Sequence, residues 1–199
     1  VDSCLTTLPV PCEFFKVGKN EILVQTIFSA STNLEAMFLL GKFAVSLDGV
    51  NSSIGSLSEY LIPGDWVSQG LPFYSGSVSY ISKLTPPKAG FNRVIVELPE
   101  YKGSYAKIFV NGHAVELLAW PPYIVDISRY IMSDSFELKI EICSHRRNSF
   151  GPLHLAQNPK KDGWIGPDEF VTKGDYWQDS YKLVPCGLIS QPIIRFFQD

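Results

Sequence analysis

The stretch FELKIEIC, residues 136–143, sets Phe136, Leu138, Ile140 and Ile142 against Glu137, Lys139 and Glu141. Successive side chains of an extended chain point to opposite faces, so this alternation predicts a strand with one apolar row and one solvated row. The same period puts Val94, Val96 and Leu98 of NRVIVEL on one face, and Ala106, Ile108 and Val110 of AKIFVNG on another. EILVQTIFS, KFAVSLDG, GSVSYISKL, YKLVPCGL and PIIRFF read as further strands. Gly, Pro, Asn and Asp punctuate them in SLDGVN, TPPKAG and VNGH. VNGH is the strongest hairpin signal, because Asn-Gly supplies the positive φ values of a tight primed turn.

Helical patterning is nearly absent. NLEAMFLL fits a helical turn or a buried strand, and VDISRYI reads as a single turn capped by the Asp126 carboxylate. Many short strands joined by turns predict an all-β chain, a sandwich or a barrel. Without βαβ alternation, neither a (β/α)8 barrel nor a dinucleotide fold is expected. The segment 156–180 is long for a connection, and loops of that length usually carry function or pack onto something else.

At 199 residues the chain can bury the core of one full-sized domain. The net charge of −3 is too small to suggest a nucleic-acid partner, which needs a basic surface. No apolar run approaches the ~18–20 residues that cross a bilayer, so no membrane partner is expected. The start, VDSCLTTLPVPCEFF, lacks the basic and apolar regions of a signal peptide and reads as a piece of a longer protein or a processed form. Cys4, Cys12, Cys143 and Cys186 have no zinc-ligand spacing. They read as free buried thiols, although a Cys4–Cys12 disulfide is sterically open, and they leave the compartment undecided.

Few groupings look catalytic. Glu137 and Glu141 lie four residues apart on one strand face, roughly 13 Å by strand rise, beyond the ~5–9.5 Å of glycosidase carboxylate pairs. Ser144 and His145 are chain neighbours and point apart on an extended chain, and no GxSxG elbow occurs. His145 and His154 lack a third clustered metal ligand, so no cofactor is expected. A structural Ca2+ bound by a loop aspartate, Asp48, Asp65, Asp126 or Asp162, stays open. The aromatics are more informative. Trp66, Phe73, Tyr74, Trp120, Tyr123, Trp164, Tyr176 and Trp177 fall at strand ends and in loops, where sandwich folds place binding surfaces. They would either cover sandwich ends or offer flat faces to sugar rings.

Several pieces then line up in order. GDWVSQGLPFYSGSVSY, AKIFVNGHAVELLAWPPYIVDISRYI and FELKIEICSHRRNSFGPLHL together resemble the jelly-roll sugar-binding domain of glycoside hydrolases of the family 2 and α-L-rhamnosidase-like type. The shared pattern falls on Trp66, Gly70 to Tyr80, Val110 to Gly112, Pro122 to Tyr130, Leu138 to Ile142 and Arg147 to His154. The resemblance covers about Glu21 to Leu155. It implies a jelly-roll β-sandwich of galactose-binding-like fold, a single domain over 1–199. Lead-in strands would occupy 10–48, the jelly-roll core 66–155, the irregular segment 156–180 and closing strands 181–197. It also implies an accessory module whose hydrolytic carboxylates sit on a separate barrel domain of the parent chain. The expected partners are a glycan or oligosaccharide and that neighbouring catalytic domain. An address outside the cell would follow only if the parent acts on external glycans. The expected ligand contacts are Trp66, Tyr74, Trp120, Tyr123, Arg146, Arg147, Asn148 and His154. For Arg146, Arg147, Asn148 and His154 the competing and favoured reading is structural: they fasten the loop, for example Arg147 to a buried Asp.

Overall fold

The computed structural model describes residues 7–30, 32, 37–88, 90–156 and 166–198. The chain divides into two units, Val1–Leu40 and Gly41–Asp199. In the first, the only regular element among the described residues is a 3-10 turn, Cys12–Phe14. The strand expected over 21–29 does not form: these residues carry no ladder, and Ile22, Leu23, Val24, Ile27 and Phe28 are exposed. Apolar periodicity states what burial would require, but a strand also needs a paired neighbour. NLEAMFLL lies partly outside the described residues, as do Cys4, Asp162 and Trp164.

The second unit is an all-β sandwich. β1 (Ala44–Asp48) and β2 (Asn51–Gly55) form a two-stranded ribbon. β3 (Ser77–Leu84), β5 (Tyr105–Val110), β6 (His113–Leu118) and β8 (Phe136–Cys143) make a four-stranded sheet in the order β3-β8-β5-β6. β4 (Arg93–Glu97), β7 (Ile124–Asp126) and β9 (Ile193–Phe197) make a three-stranded sheet in the order β7-β4-β9. All of these pairings are antiparallel.

The apolar rows read from the sequence meet between the two larger sheets. Val94, Val96 and Leu98 join Ala106, Ile108, Val110, Phe136, Leu138, Ile140 and Ile142 in one buried cluster. Asn111 and Gly112 take φ of 48° and 79° and turn β5 into β6. The VDISRYI turn forms over Ser128–Tyr130, with Asp126 Oδ1 accepting the Ser128 N–H at 3.0 Å.

Two expectations are corrected here. Arg147–Phe150 is a short helical turn, α1, rather than an open loop. YKLVPCGL is not a strand; its one ladder contact is the bridge Lys102–Gly187. Side chains have taken the backbone bonds that a ladder would use. The Val184 N–H goes to Asn148 Oδ1 at 2.9 Å, and the Cys186 N–H to Asp65 Oδ1 at 3.0 Å.

Candidate functional site

Register gathers the aromatic and basic loops at one end of the sandwich. Ser77 at the start of β3 pairs with Cys143 at the end of β8, which pairs with Tyr105 at the start of β5. Leu118, the last residue of β6, pairs with Ala106. The connections before β3, before β5, after β6 and after β8 therefore all leave from this end. β3 and β6 are its outer strands. At about 4.8 Å between neighbours they stand roughly 14 Å apart.

On the β3 side, Trp66 is 0% exposed and gives its Nε1–H to Tyr80 Oη at 2.6 Å. Its backbone N–H reaches Cys186 O at 2.7 Å. Gly187, at φ 129°, makes this close packing feasible, since a Cβ there would lie 2.6 Å from both Gly64 O and Trp66 Nε1. Trp66 thus presents no ring face to a ligand; it is a core residue. Tyr74 is 41% exposed, and its hydroxyl donates to Ser77 O at 3.0 Å.

On the β6 side, Trp120 is 82% exposed. Tyr123, three residues on, is half-buried, with its ring centroid 4.7 Å from that of Tyr101. Its carbonyl accepts the Leu98 N–H at 2.9 Å. Prolines 121 and 122 remove two ladder donors just after Trp120, which is consistent with its lying outside the sheet.

The residues after β8 divide between fastening and exposure. Ser144 is buried, and its hydroxyl lies 3.0 Å from Tyr74 O and 3.1 Å from Cys186 Sγ. His145 Nε2 lies 3.2 Å from Pro185 O. A carbonyl only accepts, so Nε2 is the donor, and the buried Nδ1 has no hydrogen-bond partner. Asn148, 3% exposed, donates Nδ2–H to Val184 O at 2.8 Å while its Oδ1 accepts from the same residue. Arg147 Nη2 donates to Pro152 O at 3.1 Å, so its acceptor is a carbonyl and not the aspartate suggested above. The buried Nη1 finds no acceptor, and desolvation pushes the guanidinium pKa down from its ordinary value. Arg146 is exposed.

His154 runs along 176–182. The His154 carbonyl accepts the Gln178 N–H at 2.8 Å, and Leu155 bridges Trp177. Its imidazole stacks on Trp177 at 4.3 Å and tilts against Tyr181 at 4.4 Å. Tyr181 meets Phe73 edge-on at 5.3 Å, and Ser149 Oγ donates to Phe73 O at 2.9 Å. A continuous aromatic cluster therefore runs beside Tyr74 and α1. Tyr181 carried no signal for this role, because its surroundings read as a closing strand.

Several carboxylates of the sandwich are engaged in ion pairs or hydrogen bonds. Asp126 pairs with Arg93 at 3.3 Å, Glu100 with Lys102 at 3.1 Å, and Glu97 with Arg195. Asp65 holds the Val67 and Cys186 N–H groups, each at 3.0 Å. The buried Glu169, which sequence reasoning passed over, accepts the Gly166 N–H at 2.6 Å. Among the described residues no three of His, Cys, Asp and Glu gather as a metal site would require.

No family model and no curated protein matches the chain. Among solved structures it is similar to a rhamnosidase from Novosphingobium sp. PP1Y, at 20% identity and a TM-score of 0.43, over 76% of this chain and 14% of that one. It is also similar to a β-glucuronidase of Faecalibacterium prausnitzii, at 14% identity and 0.41, over 77% and 30%. A β-D-glucuronidase of Dictyoglomus thermophilum matches at 17% and 0.39, over 76% and 25%. The chain spans less than a third of each of these proteins. At this level of likeness no residue's role carries over.

Proposed function

We propose that this chain is a non-catalytic, carbohydrate-associated module of a larger glycoside hydrolase, with jelly-roll topology of the galactose-binding type. It binds a glycan across the loop end of the sandwich, or shapes the substrate cleft of a neighbouring catalytic domain. The observation that carries the reading is Trp120, a large indole 82% exposed beside a Tyr123 anchored in the core. Exposing so much apolar surface costs free energy unless something covers it, and a sugar's C–H face suits a flat ring. Tyr74, 41% exposed, offers a further ring on the β3 side of the same end. The ordered motifs from Trp66 to His154 support the family reading. The engagement of Asp126, Glu97 and Glu100 in ion pairs supports a non-catalytic role.

The test is calorimetric titration of the full chain with a panel of oligosaccharides, repeated with Trp120→Ala. A loss of affinity of roughly tenfold or more in the variant is the expected result, the scale of one lost stacking or hydrogen-bonding contact. Unchanged affinity on a confirmed ligand removes Trp120 from the site. Silence across the whole panel favours a spacer without a ligand, and hydrolysis of chromogenic glycosides by the chain alone would make it an enzyme.

A further inference from the structure

β3 is an outer strand of the larger sheet, and among the described residues β8 is its only ladder partner. Bonded and non-bonded pairs alternate along an antiparallel ladder, which decides which backbone groups of β3 that leaves free. The Ser144 N–H bonds to Gly76 O at 3.0 Å, and these two residues extend the β3–β8 register by one pair. The even-numbered residues of β3 therefore turn their backbone groups towards β8, and Ser77, Ser79, Ile81 and Lys83 turn theirs away. Two further bonds agree with that phase. Ser77 O accepts the Tyr74 hydroxyl at 3.0 Å, and the carbonyl of Glu137, which pairs with Lys83, accepts the Asn111 N–H on the β5 side. At Ser79, Ile81 and Lys83 the outward N–H and C=O groups meet no partner among the described residues.

The side chains of β3 describe the same opening. Phe136, Leu138, Ile140 and Ile142, the core-facing row of β8, are all buried. Val78, Tyr80 and Leu84, beside them on β3, are only half-buried, and Ser82 in the same row is exposed. On the opposite face of β3, Ile81 is 61% exposed. A long unpaired edge with apolar side chains on both faces is a template for another strand, because main-chain bonds supply the affinity and alternate side chains the fit.

We propose that this edge takes β3 of a second copy of the chain, paired antiparallel about a two-fold axis at Ile81. The two four-stranded sheets then join into one continuous sheet, and both copies use the same edge, as a two-fold contact requires. In this register SVSYISKL is complementary to itself. On the outer face Ile81 meets Ile81 of the second copy, and Ser79 meets Lys83. On the core-facing side Val78 meets Leu84, and the bulky Tyr80 meets the small Ser82. The Ile81 and Ser79–Lys83 pairs are the ones whose backbone groups point outward, so each exchanges two N–H···O bonds. Neighbouring registers fit less well. An axis at Tyr80 opposes two rings that Trp66 already holds, and it calls on the Ser77 carbonyl that Tyr74 occupies. An axis at Lys83 sets two lysines against each other. A single strand pair buries less than the ~1,200 Å² at which standard interfaces begin, so the dimer is weak and concentration-dependent.

The test is sedimentation velocity of the full chain between about 5 and 500 μM, a range that brackets a contact of this size. Monomer is expected to give way to dimer across it, and the Ile81 and Lys83 amides should exchange with solvent more slowly in the concentrated sample. Ile81→Lys puts like charges on the axis, and Ile81→Pro removes an outward N–H while leaving the bonds to β8 in place. Each should raise the dissociation constant of the dimer roughly tenfold or more, the scale of two lost hydrogen bonds. Ile81→Lys should leave the Tm of dilute protein unchanged, because the side chain is exposed, and so separates lost association from lost folding. A chain that stays monomeric over the whole range, or a dimer that both variants leave intact, overturns the proposal.

Discussion

Tyr101 takes its ring into the core and gives its hydroxyl proton to Leu118 O at 2.6 Å. Desolvation above all, then the neighbouring Tyr123, pushes its pKa up from 10.0 to about 12. The folded state therefore keeps the proton at a pH where the unfolded chain releases it. The resulting stability is fully present below the unfolded value near 10 and is lost as pH rises towards 12. Urea midpoints of the wild type should fall more steeply between pH 10 and 12 than those of Tyr101→Phe; equal slopes would show that Tyr101 does not set the alkaline limit. Single residues were also where sequence reading had least purchase. Trp66 and Trp120 are both tryptophans outside the strands, yet one is sealed beneath Gly187 and the other stands in solvent. What separates them is long-range packing, which local pattern does not encode. The WPP context of Trp120 was the one legible hint.

At the scale of elements, β8 is the clearest case in which pattern and position agree. It pairs on both sides, with β3 and β5, so its apolar row is sealed by neighbours as well as by the facing sheet. Ile140→Ala should cost about 2–5 kcal/mol, whereas Ile81→Ala on the exposed outer row of β3 should stay within about 0.5 kcal/mol. Urea midpoints at constant m-value measure both, and comparable losses would contradict the placement of the core. Strands whose alternation coincided with a paired neighbour were legible in advance, as were the Asn111–Gly112 turn and the Asp126 turn. The segments 21–29 and 181–188 were not, for two different reasons. The first has the periodicity without a ladder, and in the second Asp65 and Asn148 supply the bonds a neighbouring strand would have supplied. Side-chain substitution for a strand leaves no trace in hydrophobic period.

At the scale of the whole molecule, every member of the buried cluster lies between Trp66 and Leu188. The described residues before Gly41 contribute nothing to it. A chain beginning at Gly41 is therefore expected to unfold in one cooperative transition. Its Tm should lie within about 4 °C of that of the full chain, the shift that about 1 kcal/mol produces in a protein of this size. Loss of that transition would mean that the first unit is needed to complete the fold. The layer class was readable from the density of short alternating runs, but the division after Leu40 was not. Residues 7–40 are no poorer in apolar residues than the sandwich, and what separates the described ones from it is the lack of partner rows.

The paired bonds between Asn148 and Val184 have one more consequence, for how such a chain can vary. They tie two points thirty-six positions apart, and the stretch between them begins and ends at a fastened seam. The entropy of closing a loop grows only slowly with its length, by about 0.6 kcal/mol for each doubling. Residues inserted at the exposed Thr172–Lys173 within that stretch would thus burden the sandwich little, which makes it a natural place for grafting a tag or a foreign peptide, provided that the Asn148 amide and the His154–Trp177–Tyr181 contacts are left untouched.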